Sequence, residues 1–244
     1  MRSAKNCSLQ RRLLAARSII AAFAFLIVPA VLGQNSEKLA TARTRITNST
    51  EALKAITQLP AERSIPQELL ARARVIAVFP NITKTNLLVA KGMKGSGLAA
   101  LRTKDGWGTP VFYQFGMVDK GWTTVESKSP AVVILFMSDE AFKKEQIDIS
   151  NTIAGPVGAS IPDADKTRFE GVQKVAYGLG NGKLIGVKIE ESDSIQSNMG
   201  ADNGMNKPIF GKKGSEVLWA TPPADLLSEL KDLQAAMADL SKPN

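Results

Sequence analysis

Between Val75 and Ile189 the chain is cut into short β-rich apolar runs by turn residues, and this pattern constrains the fold more than any other feature. Val75 to Phe79 is the first run, followed by Pro80. Thr85–Ala90, Leu98–Arg102, Pro110–Phe115 and Trp122–Ser127 follow at short intervals. Each has the length and the Val, Ile, Phe, Tyr or Thr content of a strand. Asp105-Gly106 and Gly180-Asn181-Gly182 are hairpin signals, because Asn-Gly and Asp-Gly pairs accept positive φ. Asp119-Lys120-Gly121 reads as another turn. Ala131 to Met137 is apolar throughout, as in a strand buried on both faces. Val172–Leu179 and Leu184–Ile189 complete the set.

Helices frame these strands. In Ser36–Leu59, residues Leu39, Ala42, Ile46, Leu53 and Ile56 recur at three- and four-residue steps, and Pro60 follows. Ser64-Ile65-Pro66-Gln67 has the form of a capping box opening a short helix through Arg74. Ser138-Asp139 opens another, through about Gln146. Ala154-Gly155-Pro156-Val157-Gly158 reads as a loop, and residues 192–215, rich in Ser, Asn, Gly and Asp, as a long surface loop. After Pro222-Pro223, the spacing of Leu226, Leu230, Leu233, Met237 and Leu240 predicts an amphipathic C-terminal helix. Together these give an α+β fold: a curved antiparallel sheet or partial β-barrel of about seven to eight strands, framed by N-terminal and C-terminal helices.

Residues 1–33 read as a signal peptide. Arg2, Lys5, Arg11, Arg12 and Arg17 precede the apolar run Ile19–Leu32, and Val31 and Gly33 are small enough for a cleavage site before Gln34. As a helix that run would span about 21 Å, short of the ~30 Å hydrocarbon core. The expected organisation is signal peptide 1–33, N-terminal helix 34–63, central domain 64–211, and C-terminal amphipathic helix and tail 212–244. The expected location is the periplasm or cell envelope, or outside the cell. The one cysteine, Cys7, falls in the leader, so residues 34–244 have no disulfide to rely on.

Composition narrows the chemistry. The chain has no histidine, which removes imidazole general bases, Ser-His-Asp and Cys-His sites and imidazole metal ligands. No Gly-x-Ser-x-Gly elbow is present. Gly92-Met93-Lys94-Gly95-Ser96-Gly97 resembles a phosphate loop but lacks its terminal Gly-Lys-Ser/Thr, and reads better as glycines allowing bulges and close backbone approach. Asp163-x-Asp165 and Asp202-Asn203-Gly204 have calcium-like composition without EF-hand spacing. Trp107, Trp122 and Trp219 suit core anchors or interfacial residues. We expect no catalysis and no cofactor.

The net charge of +8 shrinks to +3 once the five basic leader residues are removed, and what remains is uneven. Residues 34–104 hold 12 Lys and Arg against 4 acids; residues 105–244 hold 14 against 19. A basic half on a nearly neutral protein points to an anionic surface, or else to pairing with the acidic half. Lys84, Lys91, Lys94, Arg102 and Lys104 lie around one group of strands and form the candidate anion-binding patch. Each is worth about 1 kcal/mol near an anionic bilayer. The expected partners are anionic membrane lipids, with no role in nucleic-acid binding. The alternative is a structural or interaction protein of the envelope that works through a protein partner, with the C-terminal helix or edge strands as contact surface.

Several segments, in order, resemble the SYLF lipid-binding domain family over about residues 64–211. They are Ile65-Pro66; Ala73 with Ile76–Phe79-Pro80; Gly92, Gly95 and Gly97; Lys104-Asp105-Gly106-Trp107-x-x-Pro110; Ala154-Gly155-Pro156-Val157-Gly158; Gly182-x-x-x-Gly186-Val187-x-Ile189-Glu190; and Phe210-Gly211. The resemblance implies anionic-lipid binding, phosphoinositide binding in eukaryotic members, actin regulation in some of those, and no catalytic residues. Gly108 stands where the family has Ser, and Trp122–Pro130 lacks the usual Gln and Gly.

Overall fold

The computed structural model describes residues 36–87, 90–118, 131–190, 197–217 and 224–242. The signal peptide expected at 1–33, the strand expected at Trp122–Ser127, the turn expected at Asp119–Gly121, Trp122 and Trp219 lie outside the described residues. The chain divides into two compact units, residues 1–41 and 42–244. Of the first, only 36–41 are described; they are helical, and the Thr41 hydroxyl donates to the Glu37 carbonyl at 2.9 Å.

The second unit is α+β, with a strongly curled mixed sheet that forms a half-barrel. Helix α1 (36–57), of which 42–57 belong to this unit, leads by a 3-10 turn to α2 (Gln67–Arg72). The strands follow: β1 (Val75–Leu87), β2 (Ala90–Thr103), β3 (Gly106–Trp107), β4 (Val111–Val118) and β5 (Ala131–Phe136). After a 3-10 turn at Glu140–Lys143 come β6 (Gln146–Asp148), β7 (Ile153–Ala154), α3 (Lys166–Glu170), β8 (Lys174–Gly180) and β9 (Lys183–Val187). The chain ends with β10 (Asn198–Ala201), α4 (Asn203–Phe210), α5 (Gly214–Val217) and α6 (Leu227–Leu240). Eight strands run in the order β6-β10-β4-β2-β1-β5-β8-β7, and β3 and β9 branch from β2 and β8. Among the described residues all pairings are antiparallel except β7 with β8, which makes the sheet mixed where an antiparallel one was expected.

Alternation along the strands builds two buried layers. Val75, Ala77 and Phe79 of β1, Tyr113 and Phe115 of β4, and Val132, Ile134 and Phe136 of β5 join one core cluster inside the curl. Phe142, from the 3-10 turn, wedges between Tyr113 and Phe136 with ring centroids 5.6 and 5.0 Å away. The alternate residues Ile76, Val78, Val133, Leu135 and Tyr177 are equally buried on the opposite face. Helices carry matching buried stripes: Ala42, Ile46, Leu53 and Ile56 on α1, and Leu230, Leu233, Met237 and Leu240 on α6.

Several expectations are corrected. Pro80 does not end the first strand. It sits at a β-bulge between Val78 and Asn81, where a missing N–H is tolerated, and β1 continues to Leu87. Residues 85–102 are not two strands around a glycine turn. The hairpin closes at Leu87↔Ala90, and Gly92, Gly95 and Gly97 lie inside β2. The helix expected after Ser138-Asp139 is a 3-10 turn, opened by the Glu140 amide donating to the Ser138 hydroxyl at 3.2 Å. The capping box at Ser64 does not form: α2 starts after Pro66 without a side-chain cap, and the Ser64 carbonyl accepts from the Gly158 amide at 3.0 Å. Residues 192–215 are not one loop, since they contain β10, α4 and the start of α5.

Candidate functional site

The basic segment folds into the β1–β2 hairpin. Beyond the bulge the ladder resumes at Asn81↔Ser96 and runs through Thr83↔Lys94, Lys84↔Met93, Asn86↔Lys91 and Leu87↔Ala90. Glycine makes this course sterically feasible at two inward positions. A Cβ on Gly97 would collide with the Val78 carbonyl oxygen at the bulge, and one on Gly95 with the Phe115 ring. Phe115 is thereby free to meet Phe79 edge to face, centroids 4.7 Å apart. The glycine-rich segment is thus a packing device within a strand, with no helix behind it to form a phosphate cradle.

The hairpin brings three of the five candidate residues close along its length, with the Lys84 and Lys91 positions alternating to one face and Lys94 to the other, and separates the other two. Lys84, Lys91 and Lys94 fall within four consecutive rungs, about 10 Å at a strand's rise. Lys94 is exposed; the side chains of Lys84 and Lys91 lie outside the described ones. Lys104 is exposed in the turn at the other end of β2, ten residues and about 33 Å along the strand from Lys94.

Arg102 is engaged inside the fold. Its Nε donates to the Ala73 carbonyl at 2.9 Å and its guanidinium to that of Leu70 at 2.8 Å, closing the C-terminus of α2. The same guanidinium stacks 4.5 Å from the Trp107 ring centroid. Burial first, and the Arg74 charge second, lower its pKa. Trp107 is correspondingly a core anchor: it is buried, and its carbonyl accepts from Gln234 of α6 at 2.8 Å.

Other arginines of the basic half are consumed in the same way. Arg72 donates to the Phe169 and Glu170 carbonyls at 2.7 and 2.8 Å, at the end of α3. Arg74 pairs with Asp139 at 3.7 Å, and Arg43 with Glu229 at 3.0 Å. Arg45 meets Asp202 at 2.7 Å, with both side chains largely buried, and lies 5.6 Å from the Phe112 ring centroid. Part of the charge asymmetry is therefore internal pairing, carried by arginines with planar forks; Lys94 and Lys104 remain at the surface.

Sequence reasoning missed a second constellation. Asp202 accepts from Arg45 and from Gln114 of β4, each at 2.7 Å. Its own amide donates to the Phe112 carbonyl at 2.9 Å. Asn206, fully buried on α4, extends the sheet: its Oδ1 accepts from the Phe112 amide at 3.1 Å and its Nδ2 donates to the Phe112 carbonyl at 2.9 Å. Asp202-Asn203-Gly204 thus starts a helix and holds Arg45. Asp163, of the other calcium-like pair, is ion-paired with Lys166 at 2.6 Å.

The Ala154–Gly158 segment is likewise architectural. Gly155 packs against the Tyr177 ring, its carbonyl fills the space a Cβ on Gly186 would need, and the Tyr177 hydroxyl donates to the Pro156 carbonyl at 3.1 Å.

The described residues also form two surface grooves. One, of about 490 Å³, is lined by Phe136, Ser138, Glu140, Lys144, Asp148 and Lys174. Its charges are mixed, and Lys174 Nζ already donates to the Asp148 and Ser150 carbonyls at 3.1 and 2.5 Å. Burial works against ionisation of Asp148, but hydrogen bonds from the Ser150 hydroxyl and amide, with the Lys174 charge, outweigh it and hold the carboxyl below its usual range. The other groove, of about 560 Å³, lies between α1 at Asn48 and Glu51, the bulge at Pro80-Asn81 and the Asn181-Gly182 turn, and contains no cation. Neither collects the positive charge an anion site needs. Among the described residues no group of carboxylates and thiols has a metal-binding arrangement, and no helix is long and apolar enough to cross a membrane. No family model, curated protein or solved structure matches the chain.

Proposed function

We propose that this chain is a non-catalytic anionic-lipid binding protein that acts at the cell envelope after export. The contact is the lysine-bearing end of the β1–β2 hairpin, and the mechanism is electrostatic attachment to headgroups without a covalent step. The observation that carries this reading is the register that collects Lys84, Lys91 and Lys94 within four rungs. In the same half of the chain, Arg43, Arg45, Arg72, Arg74 and Arg102 are spent on internal partners. Three lysines at about 1 kcal/mol each give roughly 100-fold preference for an anionic surface, strongly screened by salt. The resemblance to SYLF domains supports the same class of ligand. Lys104 and Arg102 are left out of the contact.

The test is vesicle co-sedimentation of the wild-type chain and a Lys84→Glu/Lys91→Glu/Lys94→Glu variant. Vesicles of phosphatidylcholine alone are compared with vesicles containing phosphatidylglycerol or a phosphoinositide, at low and high salt. The wild type should prefer the anionic vesicles at low salt only, and the variant should lose that preference while keeping its circular-dichroism spectrum. Equal binding by both chains would remove the hairpin as the contact and favour a protein partner.

A further inference from the structure

We infer that the corner between α4 and α5 is a second cationic contact for an anionic bilayer, in which Lys207, Lys212 and Lys213 meet the headgroups around the partly exposed Ile209 and Phe210. The inference rests on the anionic-lipid reading above and gives the same ligand a site away from the β1–β2 hairpin.

From Asn203 to Gly214 the chain carries three lysines and no acid. All three lysines are exposed. The turn that ends α4 draws them together. The Gly211 amide, in a residue with φ 68°, donates to the Lys207 carbonyl at 2.9 Å, which sets Lys212 and Lys213 directly after one closed helical turn. Asp202, just before the segment, is committed to Arg45 and Gln114. In the same acidic half of the chain, Lys143, Lys166, Lys188 and Lys242 each pair with a carboxylate two or three residues away. Lys207, Lys212 and Lys213 form no ion pair among the described residues, so their charge is left for an external partner.

The corner is also held in place. Asn206 bonds Phe112 on both sides, and Asn203 Oδ1 accepts from the Gly214 amide at 3.0 Å, so the segment is closed on itself and tied to β4. Lysines on such a frame meet a surface without first ordering a loop. Met205 and Asn206 face the interior, Lys207 and Pro208 are exposed, and Ile209 and Phe210 are half-buried. Phe210 rests on Phe112, with ring centroids 6.0 Å apart. Cations around a shallow apolar pair suit a bilayer, where apolar side chains reach the headgroup boundary and lysines extend to the phosphates on flexible stems. A carboxylate site on a protein partner would be matched better by planar arginine forks, which this chain uses where distant segments lock together, as in Arg45 with Asp202 and Arg43 with Glu229.

The experiment compares three full chains on phosphatidylcholine vesicles with and without phosphatidylglycerol. They are the wild type, Lys207→Gln/Lys212→Gln/Lys213→Gln, and a charge-matched control, Lys54→Gln/Lys183→Gln/Lys231→Gln, whose lysines are exposed on α1, β9 and α6. All keep residues 1–33, so adsorption through those residues is common to all. At low salt the corner variant should bind phosphatidylglycerol vesicles about 100-fold more weakly than the wild type, at roughly five-fold per cation, and the control no more than about two-fold more weakly. The three thermal midpoints should agree. As a second readout, a fluorophore at Pro208→Cys, in the chain carrying Cys7→Ser, should lose at least half its emission to a spin label on the lipid headgroups, and one at Lys231→Cys should not. A corner variant that binds like the control, while the wild type still prefers anionic vesicles, would overturn the corner contact and leave headgroup binding at the hairpin standing. No preference for anionic vesicles in the wild type would overturn both readings.

Discussion

The chain has two tyrosines, Tyr113 and Tyr177, and both are buried to 1% exposure or less. Tyr113 lies inside the curl against Phe142; Tyr177 faces the other layer and donates its hydroxyl to the Pro156 carbonyl. Burial raises both phenols well above their ordinary value of 10.0. A phenol whose pKa is raised by folding keeps its proton in the native state when the unfolded chain releases it. Its contribution to stability is therefore complete below pH 10 and is lost as pH rises above it. Absorbance at 295 nm should show no phenolate in the native protein up to about pH 11, and unfolding free energy from urea titrations should be flat to about pH 9 and fall beyond. A phenol titrating near 10 without unfolding would contradict this placement of the tyrosines. The same layers explain Gly95, Gly97, Gly155 and Gly186: a methyl group at any of them would overlap a ring or a carbonyl.

At the scale of elements, the parts legible in the sequence were those set by local rules. The Asn181-Gly182 turn, the doubly buried strand at Ala131–Phe136 and the four- and three-residue steps of α6 all follow from residues near one another in the chain. What was not legible depends on distant partners. Pro80 reads as a stop until β2 supplies Gly97 opposite the bulge. Residues 198–210 read as a polar loop because the groups that satisfy the Asp202 and Asn206 side chains, Arg45, Gln114 and Phe112, are 88 or more residues away in sequence. Asn206 is the clearest case, since its side chain takes the place of a strand partner for Phe112. Asn206→Ala should cost about 2–3 kcal/mol, because the Phe112 amide is left buried and unpaired. Asn206→Asp should be worse at pH 7, where a buried carboxylate oxygen would face the Phe112 carbonyl. It should recover partly as pH falls, because the protonated acid regains the donor. Urea unfolding at pH 7 and pH 5 checks this; equal losses at both pH values would contradict the two-sided hydrogen bond.

Across the whole molecule, the basic residues of the first half divide by chemistry. The arginines with partners lock helices to the sheet and to each other, as their rigid multidentate forks allow, while the hairpin carries compact, well-hydrated lysine charges suited to a surface contact. This division was only partly legible. The lysines' proximity is local and follows from one hairpin register, so the sequence points to them. Arg102 and Lys104 fall in the same patch only if Gly92–Gly97 is a turn between two short strands; with those glycines inside the 14-residue β2, they lie at its opposite end. The division makes opposite predictions for two substitutions of the same charge change. Lys94→Gln should weaken binding to phosphatidylglycerol vesicles about five-fold, the worth of one cation near such a surface, and leave the thermal midpoint unmoved. Arg102→Gln should lower the midpoint by several degrees, since it strips the end of α2 of two donors and Trp107 of its stacked cation, while the folded protein binds vesicles as before. Both are measured well below either midpoint, so that unfolding does not enter the binding data. If Arg102→Gln weakened vesicle binding as much as Lys94→Gln, the contact would have to extend along the whole of β2.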